Sequence, residues 1–260
     1  MKLSIIVPCY NEVDNVSKLH DELLPVIEGL VVHGWDNASE EVHSAEMIFV
    51  DDGSSDETYS RLNECFGSEV RSGIIFKFLK HGKNKGLGAA IRTGFSNADG
   101  DILVTVDSDG TYKFSEVPAL LSFLTPKIDI VTASPYHPEG SVIGVPAYRL
   151  LLSRGSSFLY RILVDWHVHT YTCLFRAYRS EVVKNIRFES NGFLAGTEIL
   201  VNAMLKGYQV TEFPAVLHRR MYGVSKAKIA QTIFSHLGFQ GRMLLYRLQS
   251  MIGFKSRQMT

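Results

Sequence analysis

The stretch that most limits what this chain can become is Ile102-Leu103-Val104-Thr105-Val106-Asp107-Ser108-Asp109-Gly110-Thr111-Tyr112. Five β-branched or apolar residues read as a buried strand. The strand runs straight into two carboxylates one residue apart. In an open parallel sheet, ligands collect at the carboxyl ends of the strands. Two hard oxygen donors there suit Mg2+ or Mn2+ carrying the phosphates of a nucleotide. The bland alternative is an Asp/Gly-rich turn after a core strand. A calcium hand is excluded, because its glycine belongs at position six and its glutamate at twelve, whereas the twelfth residue here is Pro118.

The chain around this stretch alternates strand and helix. Leu3–Val7 reads as a buried strand left by the loop Pro8-Cys9-Tyr10-Asn11-Glu12. Asp14 or Asn15 is placed to cap a helix whose apolar positions Val16, Leu19, Leu23 and Leu24 keep helical spacing. Met47–Val50 reads as a second strand, running into Asp51-Asp52-Gly53-Ser54-Ser55-Asp56, so acidic residues end two strands. A helix over Thr58–Phe66 and a strand over Gly73–Leu79 follow. The Gly-rich segment His81–Gly94 has neither the P-loop spacing nor the third glycine of a dinucleotide fingerprint. It reads as a turn opening a closely packed helix, with Lys85 placed to meet an anion. Four such alternations predict a doubly wound, mostly parallel sheet with helices on both faces.

Beyond Asp109 the pattern predicts a helix capped by Ser115 and running through Phe123, then a strand over Ile128–Ala133. A Pro/Gly loop from Ser134 to Pro146 and an apolar helix over Tyr148–Val164 come next. The rest reads as a strand over Thr172–Tyr178, a short turn or helix over Arg179–Lys184, a helix over Thr197–Lys206 and an edge strand over Tyr208–Pro214.

Bulk properties narrow the function. Cys9, Cys65 and Cys173 are scattered and odd in number, which argues against disulfides or zinc and for a reducing, cytoplasmic setting. In that setting the glycosylation acceptor Asn37-Ala38-Ser39 goes unused. The opening apolar run is too short for a signal peptide, and no run reaches the ~18 apolar residues needed to cross a bilayer. The zero net charge hides an asymmetry: residues 213–260 hold 8 basic and no acidic residues, leaving 19 basic against 27 acidic in 1–212. An anionic partner is implied. From Lys226 to Phe254 an apolar stripe lies beside a basic face, broken near Gly238 and Gly241. That tail is either a helix packed on its own domain or an interfacial membrane helix, and the charge favours the second. No basic-aromatic platform for nucleic acid is present.

Four motifs in order carry a resemblance: Ile6-Val7-Pro8-Cys9-Tyr10-Asn11-Glu12, Val50-Asp51-Asp52-Gly53-Ser54-Ser55-Asp56, Asn84-Lys85-Gly86 with Ala90-Ile91-Arg92-Thr93-Gly94, and Asp107-Ser108-Asp109. Together they resemble family 2 glycosyltransferases of the GT-A, Rossmann-like type. Arg149 with Ser153-Arg154-Gly155, Phe175-Arg176-Ala177-Tyr178-Arg179, Glu198 and Arg220-Met221-Tyr222-Gly223-Val224-Ser225-Lys226 resemble the dolichol-phosphate mannose synthase branch. That resemblance implies inverting, metal-dependent transfer of a sugar from a GDP- or UDP-sugar to a polyprenyl phosphate. It implies a glycosyltransferase domain over 1–225, with a donor half 1–112 and an acceptor half 113–225, and a basic tail over 226–260. The enzyme would sit peripherally on the cytoplasmic membrane face, held by the tail or by a membrane-protein partner. Pro8, Tyr10, Glu12 and Asp52 would line the base and ribose pocket, and Lys85, Gly86 and Ser108 would face the nucleotide. Asp107 and Asp109 would hold the metal and diphosphate. Arg149, Arg176, Arg220, Ser225 and Lys226 would grip the acceptor phosphate, arginine being suited to bidentate contact with phosphate oxygens.

Three departures from the branch bear on the acceptor. Ser134-Pro135-Tyr136 stands where Ser-Arg-Tyr is common, with His137 the candidate substitute for the arginine. Thr170-Tyr171-Thr172-Cys173-Leu174-Phe175-Arg176 stands for Asp-Pro-Thr-Ser-Gly-Phe-Arg, and Gly110-Thr111 for Leu-Gln. Two other functions stay open: transfer to a sugar or lipid hydroxyl, with Glu198 as candidate base, and a non-catalytic nucleotide-sugar-binding module. The Gln-x-x-Arg-Trp motif of processive polysaccharide synthases is missing.

Overall fold

The computed structural model describes residues 1–35, 41–220 and 229–258, with the backbone alone over 250–258. The acceptor motif Asn37-Ala38-Ser39, the predicted domain boundary at residue 225, Ser225 and Lys226 lie outside the described residues.

The strands are β1 (Lys2–Cys9), β2 (Ser44–Asp51), β3 (Ile74–Lys80), β4 (Ile102–Thr105), β5 (Ile130–Ser134), β6 (Ser141–Ile143), β7 (Arg176–Arg179), β8 (Val210–Pro214) and β9 (Val216–His218). The helices are α1 (Val16–Lys18), α2 (Leu24–His33), α3 (Thr58–Phe66), α4 (Leu87–Ser96), α5 (Val117–Ser122), α6 (Ala147–Leu163), α7 (Ser180–Asn185), α8 (Leu194–Leu205) and α9 (Ile229–Gln258). A π turn over Leu19–Leu23 joins α1 to α2. Seven strands form one sheet in the order β3-β2-β1-β4-β7-β5-β8. Only β7 among them runs antiparallel to its neighbours. A small parallel pair, β6-β9, stands apart.

Seven of the eight residues of β1 and of β2 are buried. Strands covered on both faces read as continuous apolar runs, which is why these strands were visible without alternation. Side chains still alternate between faces. Leu3, Ile5 and Val7 meet Leu19, Leu23, Leu62, Phe66 and Leu120 on one side. Ile6, Ile48 and Val50 meet Ala90 of α4 on the other, where Tyr160, Ile199, Leu200 and Phe239 extend the layer from α6, α8 and α9.

Several expectations are corrected. Asp14 and Asn15 make no side-chain cap; the Asn15 amide instead donates to Glu12 Oε2 at 2.6 Å. Ser115 lies inside a 3-10 turn over Phe114–Glu116 and caps nothing. The strand predicted over Thr172–Tyr178 begins only at Arg176, and the loop 134–146 contains β6. The break expected at Gly238 and Gly241 does not occur, since α9 runs unbroken through both. A glycine costs a helix about 1 kcal/mol, but His236, Phe239 and Gln240 are buried against the body here. Their packing against Ser156 and Tyr160 of α6 offsets that cost. Burial pushes the His236 imidazole down to about 4, so it sits neutral in this seam.

One buried charge ties the first three strands together. Glu46 is 0% exposed in β2. Lys2 of β1 and Lys77 of β3 lie 2.8 and 2.9 Å from its Oε2, while Ser4 Oγ and the Asp99 backbone N–H donate to Oε1. Burial alone would raise this carboxyl, but those donors outweigh it and hold the group at about 2. The stability it contributes is complete above the unfolded value of about 4.3 and is lost as pH falls toward 2. Glu46→Gln is expected to cost about 2 kcal/mol at pH 7 and to flatten the acid limb between pH 4.5 and 2. Urea unfolding across that range checks it, and an unchanged acid limb would remove Glu46 from this role.

Candidate active site

A cleft of about 860 Å3 opens at the carboxyl ends of β1, β2 and β4. Pro8, Tyr10, Glu12, Asp52, Gly86, Asp107, Ser108, Asp109, Arg149 and Arg220 all line it. Residues from four motifs and from α6 thus meet in one place.

The β1 and β2 loops are locked together before they reach the cleft. Asn11 sits at φ 53°, a region asparagine tolerates better than most residues. Its Oδ1 accepts from the Ser55 N–H at 2.8 Å, and its own N–H donates to Ser54 Oγ at 2.9 Å. Gly53, at φ +71°, lies where a Cβ would come within 2.3 Å of the Lys83 backbone. That close approach lets the β2 loop touch the Gly-rich turn.

Asp52 organises that turn. Its carboxylate accepts from the Lys85 N–H at 2.9 Å and the Gly86 N–H at 2.7 Å, and pairs with His81 Nδ1 at 2.6 Å. His81 Nε2 reaches Thr93 Oγ1 at 2.9 Å. Three of the roughly four lone-pair sites of the carboxylate are therefore used inside the protein. Lys85 contributes its backbone, while its side chain is exposed and is not among the residues lining the cleft. Gly86, at φ +99°, packs against the Asn191 carbonyl, where a Cβ would stand 2.3 Å away. Sequence reasoning passed over His81 and Asn191. The only hint of His81 was its place at the end of β3, opposite an aspartate.

The acid pair faces cations. Asp109 Oδ1 accepts from the Thr111 N–H at 3.0 Å, and Oδ2 lies 3.0 Å from Arg220 Nε. Arg220 Nη2 also donates to Glu12 Oε1. Burial raises the Glu12 carboxyl in spite of Arg220 and Asn15. Burial, and then the neighbouring Asp109 charge, push Asp107 up to about 7 against the pull of Arg220. Two oxygens of like charge at the floor of an open cleft are a donor set that fits Mg2+ or Mn2+, whose remaining positions go to phosphate oxygens and water. Among the described residues no cluster of three metal-ligating side chains exists, so the protein's share of such a site would be this pair. Arg149, on the first turn of α6, and Arg219, which the sequence reading did not single out, complete the basic side of the cleft.

Besides the Lys85 side chain, three sequence candidates among the described residues are not at the cleft. Arg176 is 0% exposed. Its Nε donates to Thr132 Oγ1 and its Nη2 to the Tyr171 carbonyl, both at 2.9 Å, and its Nη1 donates to the Gly196 carbonyl. This corrects the expectation that Arg176 grips an acceptor phosphate: its fork is spent on the core. Glu198, the candidate base, is buried and accepts from the Glu189 and Ser190 N–H groups at 3.1 and 2.9 Å. His137 turns edge-on to His169, with ring centroids 5.6 Å apart, and lines neither the cleft nor its side cavity.

A mostly parallel sheet carrying a nucleotide-sized cleft and an acid pair at its carboxyl edge is the arrangement of a GT-A glycosyltransferase. The chain belongs to glycosyl transferase family 2, whose family model matches residues 4–187. It is 31% identical over 239 residues to a dolichol-phosphate mannosyltransferase of Pyrococcus furiosus, covering 91% of this chain and 62% of that protein. It is 32% identical over 251 residues to a polyprenol monophosphomannose synthase of Mycolicibacterium smegmatis, covering 92% of this chain and 88% of that one. The chain thus spans somewhat under two thirds of the length of the first of these relatives. Among solved structures, glucosyl-3-phosphoglycerate synthase from Mycobacterium tuberculosis, in complex with Mn2+, UDP and phosphoglyceric acid, superposes with a TM-score of 0.66 at 17% identity. That match covers 92% of this chain and 78% of the other and confirms the fold.

Proposed function

We propose that this glycosyltransferase moves a sugar, with inversion, from a GDP- or UDP-sugar to a polyprenyl phosphate at a membrane surface. The observation that carries the reading is the Asp107/Asp109 pair lining one cleft together with Arg149, Arg219 and Arg220. The relatives named for dolichol-phosphate and polyprenol-phosphate mannose transfer support the same acceptor class.

Pro8, Tyr10 and Glu12 form the wall available to a base and ribose, and Asp52 acts on that wall through the turn it holds. Asp107 and Asp109 would hold a divalent cation, which when bound supplies a Lewis acid for the departing nucleoside diphosphate. The acceptor phosphate is already ionised at neutral pH, so no general base is required. The burial of Glu198 therefore fits this acceptor better than a hydroxyl. The site's task is to hold two anionic reactants side by side, and Arg149 and Arg220, which both line the cleft, serve it. Arg220 already pairs with Glu12 and Asp109, so substrate phosphates would compete with those carboxylates for its fork.

Helix α6, which carries Arg149, exposes Leu151, Phe158, Leu159 and Ile162, and α9 exposes Phe234, Leu237, Leu244, Leu245 and Leu248. Arg154, Arg161, Arg242 and Arg247 lie on the same two helices. Apolar surface with basic residues is what an anionic lipid interface binds. Among the described residues no helix is long and apolar enough to cross a membrane. Peripheral attachment on the cytoplasmic face, through this surface or a membrane-protein partner, is the arrangement we propose.

The test is transfer. Protein with Mn2+ or Mg2+ is offered labelled nucleotide sugars and a polyprenyl phosphate in anionic vesicles. Label is expected in the lipid phase. Nucleotide-sugar hydrolysis without lipid labelling would keep the donor half and discard the acceptor.

A further inference from the structure

The loop that follows the acid pair borders two spaces. Asp109 and Thr111 line the cleft, while Gly110 and Lys113 line a second cavity of about 650 Å3. Lys18 of α1, His218 of β9 and Arg219 line that cavity too, and the last two border the cleft as well.

We propose that this cavity is a second anion site, separate from the cleft, which takes a phosphate group on Lys18, Lys113, His218 and Arg219. The phosphate is that of a free phosphate compound or of a phospholipid headgroup, which present the same oxygens. Binding here requires neither a sugar donor nor a metal, so it stands or falls apart from the reading of the main cleft.

Lys18 reaches the cavity through one of the departures from the branch pattern. Gly110 sits at φ +62°, and a Cβ there would stand 2.6 Å from Lys18 Nζ. The leucine common at this position would push the ammonium aside, whereas glycine lets it pack on the loop. The Lys18 side chain is 15% exposed. Glu22 also lines the cavity, with Oε2 3.9 Å from Lys18 Nζ on a side chain 56% exposed. An exposed carboxylate at that distance holds a part-buried ammonium weakly, so a closer anion gains. Outside the cavity, Glu116 lies in the field of Lys113, but burial outweighs that pull and raises the Glu116 carboxyl.

The small β6-β9 pair positions the other two groups. Ile143 pairs in register with His218, and the Arg219 N–H donates to the Ile143 carbonyl at 2.9 Å. The Arg219 stem lies across Gly144, where a Cβ would stand 3.3 Å from its own Cβ. The His218 N–H donates to the Thr111 carbonyl at 2.8 Å, which ties this strand to the loop. His218 Nε2 is buried with no hydrogen-bond partner among the described residues. Such an atom carries a desolvation cost that a ligand can recover. Monohydrogen phosphate suits either tautomer of the ring, since it has oxygens that accept and a hydroxyl that donates. Two ammonium groups and a guanidinium beside it favour a multiply charged oxyanion. The volume is that of a small-ligand site rather than of a bare ion, and Phe114 and Ile143 give an attached group apolar surface.

The experiment titrates the whole chain, without metal, with inorganic phosphate and with glycerol 3-phosphate by calorimetry at fixed ionic strength. Lys18→Gln and Lys113→Gln are each expected to weaken binding about tenfold. Lys113→Arg keeps the charge at an exposed position and should stay within about threefold of wild type, which separates lost charge from lost folding. Arg149→Gln, on the main cleft, should leave this affinity within about twofold. Binding lost in Arg149→Gln but untouched by both lysine variants places the phosphate in the cleft and overturns the proposal. Flotation with phosphatidylcholine vesicles, with and without phosphatidic acid, separates the two sources. Vesicle binding that needs phosphatidic acid, falls about tenfold in the lysine variants and is competed by inorganic phosphate supports the site with a lipid headgroup in it. Lysine-dependent binding in solution, with vesicle binding the same in wild type and variants, supports the site with a free phosphate compound. Absence of lysine-dependent phosphate binding both in solution and on vesicles overturns it.

Discussion

Asp109→Ala is expected to lower sugar transfer roughly 1,000-fold, about 4 kcal/mol, in a protein that stays folded. On the proposed reading Asp109 supplies one of two oxygens for the cation and, through Oδ2, holds Arg220 at the cleft. Its loss removes a ligand and one of the carboxylates that hold the Arg220 guanidinium, Glu12 being another. Unfolding would be the trivial explanation for lost activity, and electrostatics argue against it. Burial first, and the Asp109 charge second, raise Asp107 to about 7. An acid with a raised folded value favours folding while protonated, so its contribution is present below about pH 4 and is lost as pH rises toward 7. Removing Asp109 relieves part of that loss. Without metal, the variant should therefore unfold at the same temperature as wild type or higher at pH 7 to 8, with a smaller decline from pH 4 to 7. Mn2+ together with UDP or GDP should raise the wild-type midpoint and leave the variant's unchanged. More than a tenth of wild-type transfer in Asp109→Ala, or intact metal protection, would remove the pair from the centre of the mechanism.

The half of the chain that forms the donor side was legible because its signals are local. Buried parallel strands show as apolar runs, and the loops leaving them carry their own chemistry. Pro8, Tyr10, Glu12, Gly86, Asp107 and Asp109 do meet in one cleft. What the sequence could not show is which atoms are already spoken for. Asp52 reads as a ligand for a base, yet its oxygens hold the Gly-rich turn and His81, partners 29 to 34 positions away. Glu198 reads as a candidate base until two backbone N–H groups claim it. The β6 and β9 strands were missed because three-residue strands paired across 75 positions carry no periodicity. Gly238 and Gly241 suggested a broken tail because propensity is local, while the seam of α9 against α6 that overrides it is not.

Arg176 is the largest case of that difference. Inside a motif that resembles one of a phosphate-handling branch, an arginine invites a ligand role, but this one is the largest fully buried side chain described and bonds to Thr132, Tyr171 and Gly196. These contacts join β5, β7, α8 and the loop that bears Thr170 and Thr172. Arg176→Met would take the guanidinium donor from the Gly196 carbonyl and the Thr132 hydroxyl, and leave the Tyr171 carbonyl to Thr197 Oγ1, in a dry interior, a loss of about 3–5 kcal/mol. For a chain of this size that lowers the melting midpoint by about 10 °C. Arg176→Lys keeps the charge but cannot span three partners with one ammonium, so it should still cost about 2 kcal/mol. Urea unfolding gives the stability, and transfer kinetics separate the two roles. A core arginine predicts that Arg176→Lys lowers the urea midpoint and leaves KM for polyprenyl phosphate within threefold of wild type. A KM raised tenfold or more at unchanged stability would return Arg176 to the acceptor site.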